Sequence, residues 1–349
     1  MFRTPRFWNK RIWINSFLIP FSWMWVYFSK LSQSRIKTEH VDVPVICIGN
    51  LVMGGAGKTP TVIALTAILK SIGHNPHILS RGYGAYIRNS IQVDPKTHNY
   101  LQVGDEPLLL AKVAPTWVGP DRVMSARAAI KAGASILIMD DGLQNPSLFK
   151  DLSIVVIDAI QGVGNGLVFP AGPLREPIEI GANRADAMIV IGGGNIHFDF
   201  IDRQFSARIV CENDTSKNDY SGNKNESDVT PGEVNHSKVS QHKSKRRVVA
   251  FAGIGYPEKF KITLLENNFE ICDFITFADH HPYTIGDIIK LMKVATQHRA
   301  TLITTSKDCL RIPERYQHSV TTLPIVLEFD QPQEITTFLE RTVIPTQRV

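Results

Sequence analysis

The stretch "VPVICIGNLVMGGAGKTPTVIALTAILKSIG", residues 43–73, determines the fold of this 349-residue chain. It begins with an apolar run of strand length, continues through a glycine-rich segment ending in Gly57, Lys58 and Thr59, and then shows a helical pattern that stops at Gly73. A strand, a loop and a helix in this order direct backbone N–H groups and the positive end of the helix dipole at one point, where phosphate groups bind. The stretch therefore predicts a phosphate-binding loop on an α/β sheet.

The loop departs from the usual pattern GxxxxGK[ST] at one position, because Val52 occupies the place of the first glycine. Lys58 would reach the β- and γ-phosphate oxygens of a nucleotide, and Thr59 would bind Mg²⁺. The alternative is a glycine-rich turn that only packs a helix on a sheet, and the intact Gly-Lys-Thr in this context argues against it. The residues predicted to bind the nucleotide are Gly54, Gly55, Ala56, Gly57, Lys58, Thr59 and Pro60.

A loop of this kind also needs a carboxylate that positions the metal ion. Two apolar runs end in one: "ILIMDD" ends in Asp140 and Asp141, and "IVVID" ends in Asp158. Burying two adjacent carboxylates without a role would be costly, so the first pair is the predicted metal site, while Asp158 could equally be a helix cap. No guanine-reading motif follows a strand, which favours ATP over GTP.

The same rhythm of strands and helices continues along the chain. Runs such as "LSIVVIDA" and "DAMIVIGGG" are nearly continuous in Val and Ile, as expected of strands covered on both faces. We predict a P-loop NTPase-like, doubly wound, mostly parallel sheet with a second, smaller α/β lobe. The polar tract at 212–247 is too poor in apolar residues to offset its ordering entropy and predicts a disordered insert. The predicted divisions are an N-terminal helix at 1–37, a P-loop core at 38–211, the insert, and the second lobe at 248–349.

The composition bounds the class of protein. Hydrophobic residues make up 43% of the chain and charged residues 20%, so the chain can bury a core. The four cysteines lie far apart, so neither a disulfide framework nor a zinc site is expected and a reducing compartment fits. The net charge of +5 is a mild bias towards anionic partners that does not separate nucleic acid, phospholipid and nucleotide.

The N-terminal segment "RIWINSFLIPFSWMWVYFSK", residues 11–30, differs from the rest. Together with Trp8 it holds four of the five tryptophans, and basic residues flank it. It has no small-residue cleavage site of a signal peptide, and Asn15, Ser16 and Pro20 interrupt a spanning helix. Trp and Tyr favour the headgroup boundary, so we predict an amphipathic helix that lies on a membrane. A spanning helix and an ordinary buried helix are the alternatives.

Further short segments follow one another in a fixed order. They are "GNLVMGGAGKTPT", "LSRGYG", "GDEP", "DDGLQ", "FPAGPLREP", "FADHH" and "TTSKD". Each is weak alone, but in this order the set resembles the tetraacyldisaccharide 4′-kinase family of lipid A biosynthesis, over about residues 10–330. The resemblance implies transfer of the γ-phosphoryl of ATP, with Mg²⁺, to the 4′-hydroxyl of tetraacyldisaccharide 1-phosphate, giving lipid IVA. It also implies a peripheral or monotopic location on the cytoplasmic face of the inner membrane of a Gram-negative bacterium.

The resemblance also implies roles for individual residues. Asp105 would take the hydroxyl proton and His280 would tune it. Acids around the metal and the active site would be Asp140, Asp141 and Glu176, with Asp141 taken as catalytic and the metal ligands as Thr59, Asp140 and Glu176. Contacts to substrate or phosphate are expected from Arg81, Tyr83, Arg175 and Lys307. Asn145 and Ser306 stand where the family often has His and Glu, which leaves the role of those two positions open.

The expected partners are therefore an acylated glucosamine disaccharide phosphate and the surface of the inner membrane; neither nucleic acid nor a protein partner is predicted. Two alternatives differ in class. "MGGAGKT" resembles the loop of membrane-associated switch ATPases, although Met53 replaces their signature lysine. A non-catalytic lipid-binding protein would leave the loop unexplained. Lipid-dependent phosphate transfer separates the kinase from the switch ATPase, and nucleotide titration tests the binding protein.

Overall fold

A computed structural model describes residues 5–82, 84, 87–192, 199–212 and 245–343. The strands are β1 (Val45–Gly49), β2 (Pro76–Ser80), β3 (Ile91–Gln92), β4 (Thr116–Val118), β5 (Ile136–Asp140), β6 (Leu152–Asp158), β7 (Ala187–Ile191), β8 (Gln204–Cys211), β9 (Arg246–Ala252), β10 (Phe269–Thr276), β11 (Thr301–Thr305), β12 (Thr321–Leu323) and β13 (Ile325–Phe329). Most of the predicted polar insert, 213–244, and Tyr83 lie outside the described residues.

Helices connect most of these strands, and a 3₁₀ turn (Arg6–Trp8) precedes the first helix. They are α1 (Trp13–Ser34), α2 (Lys58–Ser71), α3 (Tyr100–Val103), α4 (Asp105–Leu110), α5 (Arg122–Lys131), α6 (Ile178–Ala182), α7 (Pro257–Glu266), α8 (Ile285–Gln297), α9 (Ser306–Leu310), α10 (Glu314–Gln317) and α11 (Pro332–Val343).

In the described part of the chain, the larger sheet has nine strands in the order β13-β8-β7-β6-β1-β5-β2-β4-β3, and antiparallel pairing occurs there only at its two edges. Its central strands are buried along their whole length, and a separate apolar cluster covers each face. The predicted large, mostly parallel α/β sheet is confirmed. In the register, Ile48 of β1 lies opposite Asp140 of β5, so the loop after β1 and the acidic end of β5 meet at one edge, where α/β proteins bind their ligands.

The second sheet has four parallel strands in the order β10-β9-β11-β12. The predicted second lobe, 248–349, extends too far. β13 pairs with β8 of the larger sheet, and α11 buries Ile335 and Leu339 in the core of the larger lobe. The prediction failed here because the run "PIVLEFD" specifies a strand but not the sheet edge that the strand joins. β8 would otherwise present an unpaired edge, which proteins avoid.

Helix α1 buries polar side chains and exposes apolar ones, which is the reverse of an ordinary surface helix. Its two buried residues are polar: Asn15 donates to the Ala171 carbonyl at 2.7 Å, and Ser22 donates to the Val168 carbonyl at 2.7 Å. The large apolar and aromatic side chains that the helix exposes are Trp13, Phe17, Phe21, Trp23, Met24, Trp25, Tyr27, Phe28 and Leu31. Within the described ranges, no helix combines the length and hydropathy required to cross a membrane.

Candidate active site

The glycine-rich loop connects β1 to α2 as predicted. Gly57, the residue before α2, has a φ of +89°, and a Cβ there would come within 2.5 Å of Ile191 Cδ1. The left-handed backbone favours glycine, and a Cβ here would in addition force the Ile191 side chain to move. The N–H groups of Lys58 and Thr59 have no partner earlier in the helix, whereas the Thr61 N–H donates to the Gly57 carbonyl at 3.2 Å. Lys58 and Thr59, the first two helical residues, therefore lie where the helix presents its positive end.

The acidic end of β5 meets this loop. Lys58 Nζ lies 3.7 Å from Asp141 Oδ2, and Arg175 holds the same carboxylate with two bonds, at 2.9 and 3.0 Å. Arg175 Nε also donates to the Val52 carbonyl at 3.3 Å. Burial favours the neutral form of Asp141, but Lys58 and Arg175 outweigh it and lower the pKa of that carboxyl. Burial lowers the pKa of Lys58, and the charge of Asp141 opposes that shift. The three residues form one ionised cluster.

Asp140 is in the opposite situation. It is 2% exposed and accepts a hydrogen bond from Ser80 Oγ at 3.3 Å. Burial, together with the negative charges of Glu106 and Asp141, raises the pKa of Asp140 to about 7. The charges of Lys58 and Lys307 oppose this shift without cancelling it, and a bound metal ion would add further positive charge. Asp140 and Thr59 therefore fit a cation at this edge of the sheet.

Mg²⁺ is the metal ion that the resemblance implies. Among the residues that the structure describes, no group of three or more His, Cys, Asp or Glu side chains could hold a metal by itself. Mg²⁺ is commonly bound by one or two carboxylates together with substrate phosphates and water. Glu176, the other expected ligand, forms an ion pair with Arg184 at 3.0 Å and accepts from Gln144 at 3.1 Å. Asp140 is therefore a better candidate for the metal-binding carboxylate than Glu176.

Two adjacent acids at the start of α4 contact the second lobe. Asp105 Oδ2 lies 3.1 Å from His280 Nδ1 and 3.4 Å from Arg311 Nε, and Glu106 Oε1 lies 2.6 Å from Lys307 Nζ. Burial would raise the pKa of Asp105, but His280, Lys307 and Arg311 lower it to about 2. The hydrogen bond to Asp105 raises the pKa of His280, against the effect of burial. The resemblance predicted this pair, and the structure brings its members together.

A cleft of about 1840 Å³ separates the two lobes. Its lining includes the glycine-rich loop, Asp140, His280, Lys307 and, from α1, Trp25. Asp105 is 3% exposed and lies behind His280. The second lobe approaches the loop closely, since a Cβ on Gly255 would be 3.5 Å from the Gly55 nitrogen.

The remaining sequence predictions have mixed outcomes. Arg81 lines the cleft. Asp158, the alternative metal residue, accepts the N–H groups of Ile160 and Gln161 and forms an ion pair with Lys259 of the second lobe, so it caps a turn and joins the lobes. Arg311 was missed, because it stands three residues after the "TTSKD" segment and belongs to no motif.

The fold and the cleft define an α/β protein with a glycine-rich loop at the sheet edge of one lobe and a second lobe that faces this loop across the cleft. The chain matches the model of the LpxK family, tetraacyldisaccharide-1-P 4′-kinase, over residues 14–344. It belongs to that family. The resemblance predicted from short segments is thereby confirmed, and so is the enzyme class, a kinase.

Named relatives agree with this assignment. Tetraacyldisaccharide 4′-kinase of Rhodospirillum centenum is 38% identical over 339 residues, covering 95% of this chain and 94% of the relative. The enzyme of the same name from Rhodopseudomonas palustris is 41% identical over 313 residues, covering 89% and 87%. A crystal structure of LpxK from Aquifex aeolicus in complex with ATP has a TM-score of 0.69 at 23% identity, covering 95% of this chain and 99% of that chain. At that identity the likeness supports the fold.

Proposed function

We propose that this kinase transfers the γ-phosphoryl of ATP to the 4′-hydroxyl of tetraacyldisaccharide 1-phosphate, giving lipid IVA, at the cytoplasmic face of the inner membrane. The observation that carries the proposal is the composition of the cleft. A phosphate-binding loop and a His–Asp pair from opposite lobes line or adjoin the same space, and so does the aromatic α1. Family membership supplies the identity of the acceptor.

The nucleotide side of the site is the loop and its cationic neighbours. Backbone N–H groups at the start of α2 and the charge of Lys58 would hold the phosphates of ATP. Lys58 and Arg175 would also stabilise charge on the transferring group, which is the main source of catalysis in phosphoryl transfer. Bound at Asp140 and Thr59, Mg²⁺ would supply further neutralisation of phosphate charge. Asp141 holds Lys58 and Arg175 in place through the contacts described above.

The acceptor side is the His280–Asp105 pair. Both Asp105 oxygens are occupied, Oδ1 by the Glu106 N–H at 2.9 Å and Oδ2 by His280 and Arg311. An acid with a pKa of about 2 is a weak proton acceptor. His280 lines the cleft, so we reverse the expected division of roles: His280 Nε2 takes the proton and Asp105 orients the ring and stabilises the imidazolium, as in Ser-His-Asp triads.

The chemical step forms one bond to phosphorus and breaks another. The 4′-oxygen forms a bond to the γ-phosphorus of ATP, and the bond from that phosphorus to the bridging oxygen of ADP breaks. The hydroxyl proton passes to His280 Nε2 and leaves to solvent after product release. The electron pair of the broken bond stays on ADP, close to the cationic loop.

The test of this function is incubation with γ-labelled ATP and the disaccharide lipid. We expect label on the lipid, at the 4′ position of the product, only when both substrates are present. A switch ATPase would release labelled inorganic phosphate without the lipid acceptor, and that result would contradict the proposal. The matched control is the same lipid already phosphorylated at the 4′-hydroxyl, which should accept no label.

Helix α1 would place the kinase on the membrane that holds its acceptor. Its polar residues bond to the protein, and its aromatic face is exposed. Burying one large apolar side chain is worth about 1.5–3 kcal/mol, so replacing Trp13, Phe17 and Trp23 by serine should weaken binding to anionic lipid vesicles at least about tenfold. Co-sedimentation with the vesicles measures this change.

The control for that experiment is the pair Leu101→Ser and Met124→Ser, which removes exposed apolar side chains outside α1. The control should bind vesicles like the parent protein. Unchanged sedimentation of the α1 variant with vesicles would contradict the anchoring role of the helix. Thermal unfolding should be nearly the same for both variants, because every substituted side chain is exposed.

A further inference from the structure

We propose that Arg311 is a positioning residue for the Asp105–His280 pair, locked in place by a buried polar network of the second lobe. The inference rests on the proposed function, in which His280 receives the acceptor proton. Arg311 and Asp105 belong to different lobes, yet they are 2% and 3% exposed. Arg311 Nε lies 3.4 Å from Asp105 Oδ2, the oxygen that also contacts His280 Nδ1 at 3.1 Å.

The network that holds Arg311 centres on Asp308, which is fully buried. Asp308 Oδ1 accepts hydrogen bonds from Arg311 Nη2 at 3.0 Å, from the Tyr283 hydroxyl at 2.7 Å and from the Gly253 N–H at 2.9 Å. A guanidinium with its donors fixed in this way has little rotamer freedom left. The Arg311 Nε–H donates to the Lys307 carbonyl at 3.4 Å. The network therefore fixes the guanidinium whose Nε forms the ion pair with Asp105 Oδ2.

Arg311 contacts the environment of His280 at two points. Besides approaching Asp105, its Nη1 donates to the Gly253 carbonyl at 3.0 Å. The same carbonyl accepts the backbone N–H of His280 at 3.0 Å, and His280 has a φ of +55°. A non-glycine residue in the left-handed region needs surrounding contacts that maintain it. Arg311 thus supports both the carboxylate that orients the imidazole ring and the carbonyl that fixes its backbone.

The charge of Arg311 has a defined effect on the base. Among the residues that the structure describes, the charged groups acting most strongly on His280 are Asp105 from α4, Asp279 from its own loop and Arg311 from the segment after α9; Lys307 acts on Asp105. The two aspartates raise the pKa of His280, and Arg311 lowers it. Removing the Arg311 charge should therefore raise that pKa further. Since only the neutral imidazole accepts a proton, the rise of turnover with pH should then move to higher pH.

The test compares turnover against pH for the parent and for Arg311→Gln, over the range in which histidine titrates, about pH 5 to 8 and one unit above it. We expect the rising limb to move up by on the order of 0.5 to 1 pH unit, the scale on which one neighbouring charge moves a histidine. Turnover on the plateau should fall about tenfold from lost positioning, the low end of the effects of misplacing a reacting group. Arg311→Lys keeps the charge, so its limb should stay at the parental position.

Tyr283→Phe is the matched control. It removes one hydrogen bond to Asp308 from the same buried network and leaves the charges beside His280 unchanged. It should lower thermal stability without moving the pH limb. An unmoved limb in Arg311→Gln, or an equal movement in Tyr283→Phe, would overturn the proposal and leave Arg311 with a purely structural role.

A buried carboxylate without its partner can prevent folding. If Arg311→Gln does not fold, the double variant Asp308→Asn/Arg311→Gln removes the two opposite charges together, and the same limb movement is expected from it. If neither variant folds, Arg311→Lys becomes the test. A rise of turnover at a different pH from that of the parent protein would contradict the role assigned to the Arg311 charge. His280→Gln separates the inference from the proposed function. If that variant keeps the parental limb, His280 is not the base, whatever Arg311 does.

Discussion

Replacing His280 with alanine should lower turnover on the lipid acceptor by roughly 10²- to 10⁴-fold, the range of general-base contributions, and leave ATP affinity nearly unchanged. The imidazole contacts Asp105 and lines the cleft, and it is not among the residues expected to hold the nucleotide, so its loss should remove a proton acceptor and leave nucleotide contacts in place. Steady-state turnover and a separate nucleotide titration measure the two quantities.

Asp105→Ala should resemble His280→Ala, and the double variant should lose much less than the product of the two single losses. Paired groups that act as a unit are not additive. If the two losses multiply, or if Asp105→Ala abolishes ATP binding, the pair is not the base, and Asp105 is a metal ligand or a loop cap.

The pH dependence of turnover tests the same pair independently, because the direction in which it moves can be predicted. Asp105 raises the pKa of His280, so Asp105→Asn should lower that pKa. The neutral imidazole then forms at lower pH, and the rising limb of the residual activity should move to lower pH. This direction is opposite to the one expected for Arg311→Gln, which makes the two variants controls for each other.

The parts of the site that lie close together in sequence could be predicted from the residues alone. The glycine-rich loop joins a strand and a helix that are its immediate neighbours, so residues 43–73 are enough to predict that "GGAGKT" connects the two. The pair Asp140 and Asp141 follows the same logic, since a strand end at the loop edge of a parallel sheet can be read from one apolar run.

The acceptor side could not be derived in this way. Asp105 and His280 are separated by 175 positions, and neither "GDEP" nor "FADHH" carries a signal that points to the other. Only the resemblance to a family joined them. Arg311 was missed for the same reason: its value lies in a contact between lobes that no local pattern encodes.

Helix α1 shows a different limit. In the sequence, Asn15 and Ser16 interrupt an apolar helix. In the structure, Asn15 attaches that helix to the protein through hydrogen bonds to the Phe7 and Ala171 carbonyls. A polar residue in an aromatic helix can face either water or protein, and the sequence does not distinguish the two. The predicted membrane position depends on this distinction, because only the inward-facing arrangement leaves the aromatic side exposed.

Lys58→Ala should fail differently from the His280 and Asp105 variants, with ATP affinity and phosphoryl transfer falling together. Lys58 lies beside Asp141 at the start of α2. A nucleotide phosphate bound there would be a second negative partner for the Lys58 ammonium group. Loss of one hydrogen bond to a charged group costs about 1.5–3 kcal/mol, which corresponds to roughly a tenfold or greater loss of ATP affinity. Loss of one preorganised donor to the transition state costs about 10²- to 10³-fold in turnover.

The matched control is Lys70→Ala, in the last turn of the same helix, which removes an exposed lysine at the end of α2 away from the loop. It should change neither quantity. Nucleotide titration and turnover with saturating lipid should be measured for both variants, because the comparison separates a local charge effect from damage to the helix. If Lys58→Ala kept parental ATP affinity and lost only lipid-dependent turnover, Lys58 would serve the acceptor, and the assignment of the loop to the nucleotide phosphates would be wrong.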